Sequence, residues 1–395
     1  MAEFDIQPAP VLFEERRTSS GQHVAIATLN AEKSLNALTL DMVRALSSKL
    51  TQWAQDERIA CVVLRGAGEK ALCAGGDVRS LRESILAHRG KVAPNPYAQA
   101  FFSEEYRLDF QIHTYRKPIL VWGSGIVMGG GLGLLAGASH RVVTETSRVA
   151  MPEISIGLFP DVGGSWFLPR MPHRAGLFLA LTGASINGAD ASYLGLADCF
   201  LRASDYAVVL KRLDAGDWSN DSDANHAVLS RLLHALAGDA VSIRPPSNVR
   251  LHADEIAQLT DAPTLAEVVT RITGYTGDAA WMKKAAATLA GGSPTTAALI
   301  WTLRQRARHL SLADVFRLEL VVALQCCEHP DFAEGVRVVL IDKDNRPQWT
   351  PARLQDVTPG WVEEHFAAPW SAWANEANPL DSLGRTTSLD RGTER

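Results

Sequence analysis

Pro118-Ile119-Leu120-Val121-Trp122-Gly123-Ser124-Gly125-Ile126-Val127-Met128-Gly129-Gly130-Gly131-Leu132-Gly133-Leu134-Leu135-Ala136-Gly137-Ala138-Ser139 carries no charged residue and holds three overlapping Gly-x-x-x-Gly steps, at Gly125, Gly129, Gly133 and Gly137. Its length alone would let it span a bilayer as one helix. The seven glycines oppose that reading, because Gly129-Gly130-Gly131 would break or loosen such a helix at its middle. A buried strand, a tight turn and a short helix account for the same hydropathy, which places the stretch inside a soluble α/β core.

Outward from it, over residues 11 to 200, short β-branched runs alternate with helical periods, the pattern of an α/β or α+β domain whose strands are covered by helices. Strands are predicted at 23–29, 60–65, 119–122, 141–144 and 197–201. Residues 39–55 read as a helix, with Thr39 as its cap and Leu40, Val43, Leu46, Leu50 and Trp53 at helical spacing. Helices over 77–88 and 101–115 follow. The stretch 216–225, with Asn220, Asp221, Ser222 and Asp223, has little to bury and predicts a mobile connector. Beyond it the chain reads as mainly helical, with helices at 264–273, 295–309 and 311–327; Thr264 with Glu267, and Ser311 with Asp314, sit at capping-box spacing. The expected organisation is a catalytic core over 11–215, the connector, a helical part over 226–372 and a frayed tail over 373–395.

The 395 residues are 46% hydrophobic and 21% charged, which excludes a disordered or fibrous chain and allows two or three domains' worth of core. With 39 basic and 44 acidic side chains the net charge is −5, a poor match to a nucleic-acid surface. The five cysteines, Cys61, Cys73, Cys199, Cys326 and Cys327, include no Cys-x-x-Cys pair, so neither a disulfide framework nor a zinc ribbon is expected. Residues 1–10 lack a basic run ahead of an apolar core, and the expected location is the cytoplasm.

The common catalytic signatures are missing: no P-loop, no His-Glu-x-x-His and no Gly-x-Ser-x-Gly. Gly131, Gly133 and Ala136, like Gly66, Gly68 and Ala71, satisfy a loose dinucleotide pattern, but neither has the strand and acid that such a site needs. Two other glycine turns, 71–77 and 126–131, each join an apolar run to the start of a helix. There the first backbone N–H groups have no internal partner, the helix dipole adds positive charge, and glycine lets an acyl group approach; an oxyanion would be stabilised at either turn. In 151–164, Glu153 and Asp161 stand in apolar surroundings, where burial would raise their pKa values and fit them for acid, base or nucleophile roles. Simple turn geometry and exposed loop acids are the competing readings of these features.

Taken together, the constellation resembles the crotonase (enoyl-CoA hydratase/isomerase) superfamily, and within it the 3-hydroxyisobutyryl-CoA hydrolases. The resemblance runs from Lys33-Ser34-Leu35-Asn36-Ala37-Leu38 through both glycine turns, Phe101-Phe102-Ser103-Glu104-Glu105-Tyr106, 151–169 and Leu179-Ala180-Leu181-Thr182-Gly183. It returns at 334–344, Gly335-Val336-Arg337 and Asp342-Lys343-Asp344 included. The Phe159-Pro160-Asp161 and 335–344 segments are the ones particular to the hydrolase branch.

The resemblance implies a crotonase-like spiral of ββα turns with a mainly helical C-terminal part, binding an acyl-CoA thioester. It implies an oxyanion hole from the backbone N–H groups of Gly76 and Gly130, Glu153 and Asp161 as the catalytic carboxylates, and Glu105, Gly75, Gly76 and Gly130 in contact with substrate. Lys33 lies near the implied coenzyme A path. Hydratases of this kind carry a second glutamate at the position of Gly133, and that departure argues against water addition to a double bond. The implied activity is hydrolysis of 3-hydroxyisobutyryl-CoA or a close 3-hydroxyacyl-CoA in branched-chain amino-acid breakdown, with no metal and no cofactor beyond the coenzyme A of the substrate. Trimers and dimers of trimers are common in the superfamily, so a homo-oligomer is one expectation, and a monomer is the other if the long helical C-terminal part occupies the trimer surface. Two alternatives stand beside it: an enoyl-CoA hydratase or isomerase working with Glu153 alone, and a CoA-binding member without catalysis.

Overall fold

A computed structural model describes residues 9–91, 94–372 and 377–385. Within them the chain alternates between two sheets. One carries β1 (Val11–Arg17), β2 (His23–Leu29), β3 (Ile59–Gly66), β5 (Ile119–Gly123), β7 (His140–Val143) and β10 (Cys199–Phe200), in that spatial order. The other carries β4 (Ala71–Cys73), β6 (Ile126–Met128), β8 (Arg148–Ala150) and β9 (Ile186–Asn187). β3, β5 and β7 each hand the chain to a short strand, and β4 and β6 each lead to a helix: α2 (Val78–His88) and then α3 (Pro96–His113) after β4, α4 (Gly130–Gly137) after β6. This is the expected α/β spiral of ββα turns. The charge-free stretch is β5, a turn, β6 and α4, and among the described residues no helix is long and apolar enough to cross a membrane.

The long sheet is apolar on both faces, as parallel strands covered on two sides require. Ala25, Ala27 and Leu29 of β2 and Ile119 and Val121 of β5 face the main core, whereas Val24, Ile26, Leu120 and Trp122 face the opposite side. On the core side lies α1 (Leu40–Gln55), capped as expected by the Thr39 hydroxyl, which accepts from the Met42 N–H at 3.2 Å.

The far face corrects the reading of 216–225 as a connector between two parts. Trp218 in that stretch is buried, its Nε1 donating to the Leu213 carbonyl at 2.7 Å, and Asp221 caps the helix Ser222–Ala237. Leu229, Leu233 and Leu236 of that helix cover the outer face of the long sheet. The polar side chains that suggested a break are cap and turn groups flanking a packed tryptophan. Nor does the later helical part form a separate core: Leu299, Phe316, Leu320 and Phe332 join the same cluster as Phe159 and Phe178. Of the tail expected to fray, 373–376 and 386–395 lie outside the described residues, but 377–385 turn back onto the helix Leu312–Glu328 with Leu380 fully buried and its carbonyl held by Arg317.

Smaller differences have local causes. α3 begins at Pro96 and not near 101, because Asn95 accepts from the Tyr97 and Ala98 N–H groups and Pro96 suits the first helical position. The strand expected over 197–201 shortens to two residues. After Phe200 the described residues contain no further strand, as expected.

Candidate active site

β4, β6 and β8 are parallel neighbours in near register, Cys73 beside Val127 and Met128 beside Ala150. Their carboxyl ends therefore share one edge, the usual place for a ligand on a parallel sheet. The residues that follow them, Gly75-Gly76, Gly129-Gly130 and Pro152-Glu153, meet there. Gly130 is the first residue of α4, so its N–H points out of the helix without an intrahelical acceptor. Among the described residues the N–H of Gly76 likewise donates to no other backbone group, although Leu38 brackets it through bonds to the Gly75 carbonyl and from the Asp77 N–H, both 2.8 Å.

Three carboxyls close over this edge. Glu105 comes from α3, Glu153 opens the turn Glu153–Ser155, and Asp161 sits on the loop beyond it; they are 2%, 4% and 4% exposed, so the chamber is nearly sealed. Glu105 Oε1 lies so close to Gly130 that a Cβ there would overlap it, and the same oxygen stands 3.9 Å from a Cβ built at Gly76. Glu153 Oε1 lies 3.0 Å from the corresponding position at Gly129. Thus all the anticipated residues, Gly75, Gly76, Gly130, Glu105, Glu153 and Asp161, converge. Lys33 does not join them; it is exposed on the turn Glu32–Ser34.

Three further residues complete the chamber. Tyr106 donates its hydroxyl to Asp161 Oδ2 at 2.7 Å, and its ring is held between Phe102 and Phe316 at 5.9 and 5.5 Å. Glu319, fully buried on the helix Leu312–Glu328, accepts from the N–H groups of Gly163 and Ser165 at 2.8 and 2.9 Å. It thereby fixes a loop in which Val162 holds φ at +49°, a left-handed conformation unfavourable for a β-branched residue. Asp109, one turn along α3 from Glu105, lies against Gly133: a Cβ at that glycine would stand 2.9 and 3.0 Å from the two carboxyl oxygens and 2.8 Å from Val162 Cβ. The only sequence signal for Glu319 was an acid on an otherwise apolar helical face, and for Asp109 its place one turn from Glu105 on α3.

Burial raises the pKa of every carboxyl here. Desolvation comes first for Glu105 and Glu153, followed by the charge of Asp161, and both groups move well above the usual carboxylate range. Asp109 moves the same way through desolvation and then Glu105. Glu319 is pushed up to about 8 by burial and Asp161, against the pull of its two backbone bonds. Asp161 rises only to about 6, because the Tyr106 hydroxyl partly offsets desolvation. A negative charge in this chamber therefore rests most readily on Asp161, while its neighbours hold protons. Paired carboxyls of unequal pKa beside free N–H groups can attack or activate water at a carbonyl and stabilise the oxyanion that forms.

Residues 24–366 match the family model described as Enoyl-CoA hydratase/isomerase. A protein from Danio rerio named 3-hydroxyisobutyryl-CoA hydrolase, mitochondrial, is 39% identical over 344 residues, 87% of this chain and 87% of that protein. Its namesake from Homo sapiens is 38% identical over 344 residues, covering 86% of this chain and 85% of the other. Among solved structures, a carnitinyl-CoA dehydratase from Mycobacterium thermoresistibile superposes with a TM-score of 0.77 at 34% identity, over 91% of this chain and 97% of that one.

Proposed function

The chain belongs to the enoyl-CoA hydratase/isomerase family, and from that membership we infer that it hydrolyses a short 3-hydroxyacyl-CoA thioester, 3-hydroxyisobutyryl-CoA foremost, to the free acid and coenzyme A. The observation that carries hydrolysis is the pairing of Glu153 with a second carboxylate, Asp161, whose charge the Tyr106 hydroxyl supports.

In this reading the thioester carbonyl oxygen lies between the N–H groups of Gly76 and Gly130, which stabilise the tetrahedral oxyanion where water is excluded. Proton exchange between Glu153 and Asp161 moves the one charge to the carboxylate that needs it. Glu153 as carboxylate attacks the carbonyl or takes a proton from attacking water, and Asp161 in its protonated form gives a proton to the departing thiolate. Glu105, at the junction of both glycine turns, contacts the acyl group. The scheme uses carboxylates and backbone donors alone.

A second reading, hydration of an enoyl-CoA, draws on one observation: the Asp109 carboxyl occupies the side-chain space of Gly133, where the resemblance places a hydratase acid. One assay separates the two. Thiol release from 3-hydroxyisobutyryl-CoA without loss of the enoyl absorbance of crotonyl-CoA is expected; enoyl loss without thiol would reverse the assignment. Glu153→Gln should abolish thiol release, and oxygen-18 entering Glu153 in a single turnover would mark the acyl-enzyme route.

A further inference from the structure

Resting on the hydrolysis reading, one consequence of its chemistry is a proton that must be disposed of in every turnover. Hydrolysis at neutral pH breaks the C–S bond, forms a C–O bond, puts one water proton on the sulfur and leaves the other over, since the acid product is ionised. Each turnover must discharge one proton. The chamber in which it is released is lined by carboxyls that are 2–4% exposed.

One face of α3 leads out of it. Glu105, Asp109 and His113 follow one another at i, i+4 and i+8, which puts neighbouring Cβ atoms ~6 Å apart along a single stripe. Asp109 is 3% exposed, yet neither carboxyl oxygen has a hydrogen-bond partner among the described residues. Both Asp109 and His113 line a cavity of about 30 Å³ together with Gly133, Val162, Trp166 and Phe316. By volume that is room for one or two water molecules in a space that carboxyl and imidazole both line. His113 is open to solvent on its outer side, with its ring edge-on to Trp166 at 5.6 Å. The glycine stripe of the sequence makes this possible: Gly133 lies against the Asp109 carboxyl and Gly137 against the α3 backbone at Asp109 and His113, so α4 roofs the path closely.

We propose that Asp109 and His113 form the relay by which the proton of hydrolysis leaves the chamber, passing from the Glu105–Asp161 cluster to Asp109, through water in the cavity to the imidazole, and from there to bulk solvent. The charged and titratable neighbours permit it. Asp109 faces Glu105 on its own helix, Asp161 on the catalytic loop and Glu319 on the helix Leu312–Glu328. His113 is lowered from its ordinary range by desolvation and then by Arg141 of β7, which favours the neutral imidazole that can take up a proton.

The test measures thiol release by the full-length wild type, His113→Gln and Asp109→Asn at pH 7 in weak buffer and in rising imidazole. Wild type should be indifferent to buffer. His113→Gln, a substitution at an exposed position, should lose about tenfold or more in kcat in weak buffer, a loss of the size seen for acid–base groups, and recover it with imidazole. Asp109→Asn should be slow in either condition, because imidazole cannot reach the sealed step. A His113→Gln enzyme as fast as wild type in weak buffer, or one whose loss imidazole leaves unchanged, would overturn the relay. Absence of thiol release by the wild type would instead sink the hydrolysis reading itself, and the relay with it.

Discussion

Tyr106→Phe removes a single hydroxyl and leaves a ring of the same shape between Phe102 and Phe316. The lost group is the donor that holds Asp161 Oδ2 at 2.7 Å inside a fully buried chamber. A hydrogen bond to a charged group contributes about 1.5–3 kcal/mol, and one pKa unit corresponds to about 1.4 kcal/mol. Asp161, now at about 6, should therefore rise by about 1–2 units in the variant. The reactive pair carries one negative charge, which rests on Asp161 until proton exchange passes it to Glu153, so the wild-type kcat falls as pH drops through about 6, and the variant's fall moves to about 7–8. At pH 7 the ionised fraction declines from about nine-tenths to between half and one-tenth, so kcat drops about two- to tenfold. Near pH 9 it returns to the wild-type value. The assay is kcat for thiol release from pH 5 to 9 at saturating substrate. An acid limb that stays at the wild-type pH, or a loss equally deep at every pH, would refute the assignment of that limb to Asp161.

Three other outcomes follow from the same contacts. Gly133→Ala should cost about 1–3 kcal/mol in urea unfolding, since its Cβ would stand 2.8 Å from Val162 Cβ; a change within half a kilocalorie would mean that the loop yields freely. Glu319→Ala leaves the N–H groups of Gly163 and Ser165 buried without acceptors, a cost of about 2–6 kcal/mol, and should release the Asp161 loop; Glu319→Gln, keeping one acceptor, should fall between. The third outcome is a dependence of stability on pH. Glu319 has a folded pKa of about 8, raised above its ordinary 4.5, so its contribution is complete below 4.5 and is lost as pH climbs through 8. Between pH 7 and 8 His140 and His365, both pushed down to about 4 by burial, are neutral when folded and mostly neutral when unfolded, so the carboxyls dominate the slope. Stability should fall by about 1 kcal/mol across that unit, more if other chamber carboxyls share the effect; denaturation midpoints that rise with pH would contradict the buried-acid cluster.

What the sequence disclosed, and what it withheld, follows from the range of each signal. β2 and α1 were legible because each is long enough for its pattern to show: an unbroken, β-branched apolar run of seven residues in His23–Leu29, as a strand buried on both faces requires, and sixteen residues at helical period in Leu40–Gln55 with its threonine cap. β4, β6 and β8 have three residues apiece, too few for any period, yet they carry the edge on which the site stands. Glu153 and Asp161 stood out as acids amid apolar neighbours in one short segment, and the resemblance supplied Glu105 and the two glycines. Glu319 joins the loop from more than 150 positions away, a distance that no local pattern bridges. Asp109 was hidden by its setting in a helix whose other acids are also partly buried. The supposed connector misled because polar caps and a packed Trp218 share one stretch, and composition averages over both.

The helix Leu312–Glu328 has a consequence for how the molecule comes into being. A ribosome delivers the glycine turns, Glu105, Glu153 and Asp161 first, and domains tend to fold in the order in which they emerge. Yet the loop bearing Asp161 has its two N–H groups satisfied by Glu319, and the tyrosine that supports its charge leans on Phe316. A nascent chain that has exposed every residue of the chemistry but not yet position 319 holds a slack loop and an unpropped hydroxyl. Activity arrives with that late helix, which makes the growing polypeptide silent toward its substrate until the scaffold around the chamber has been synthesised.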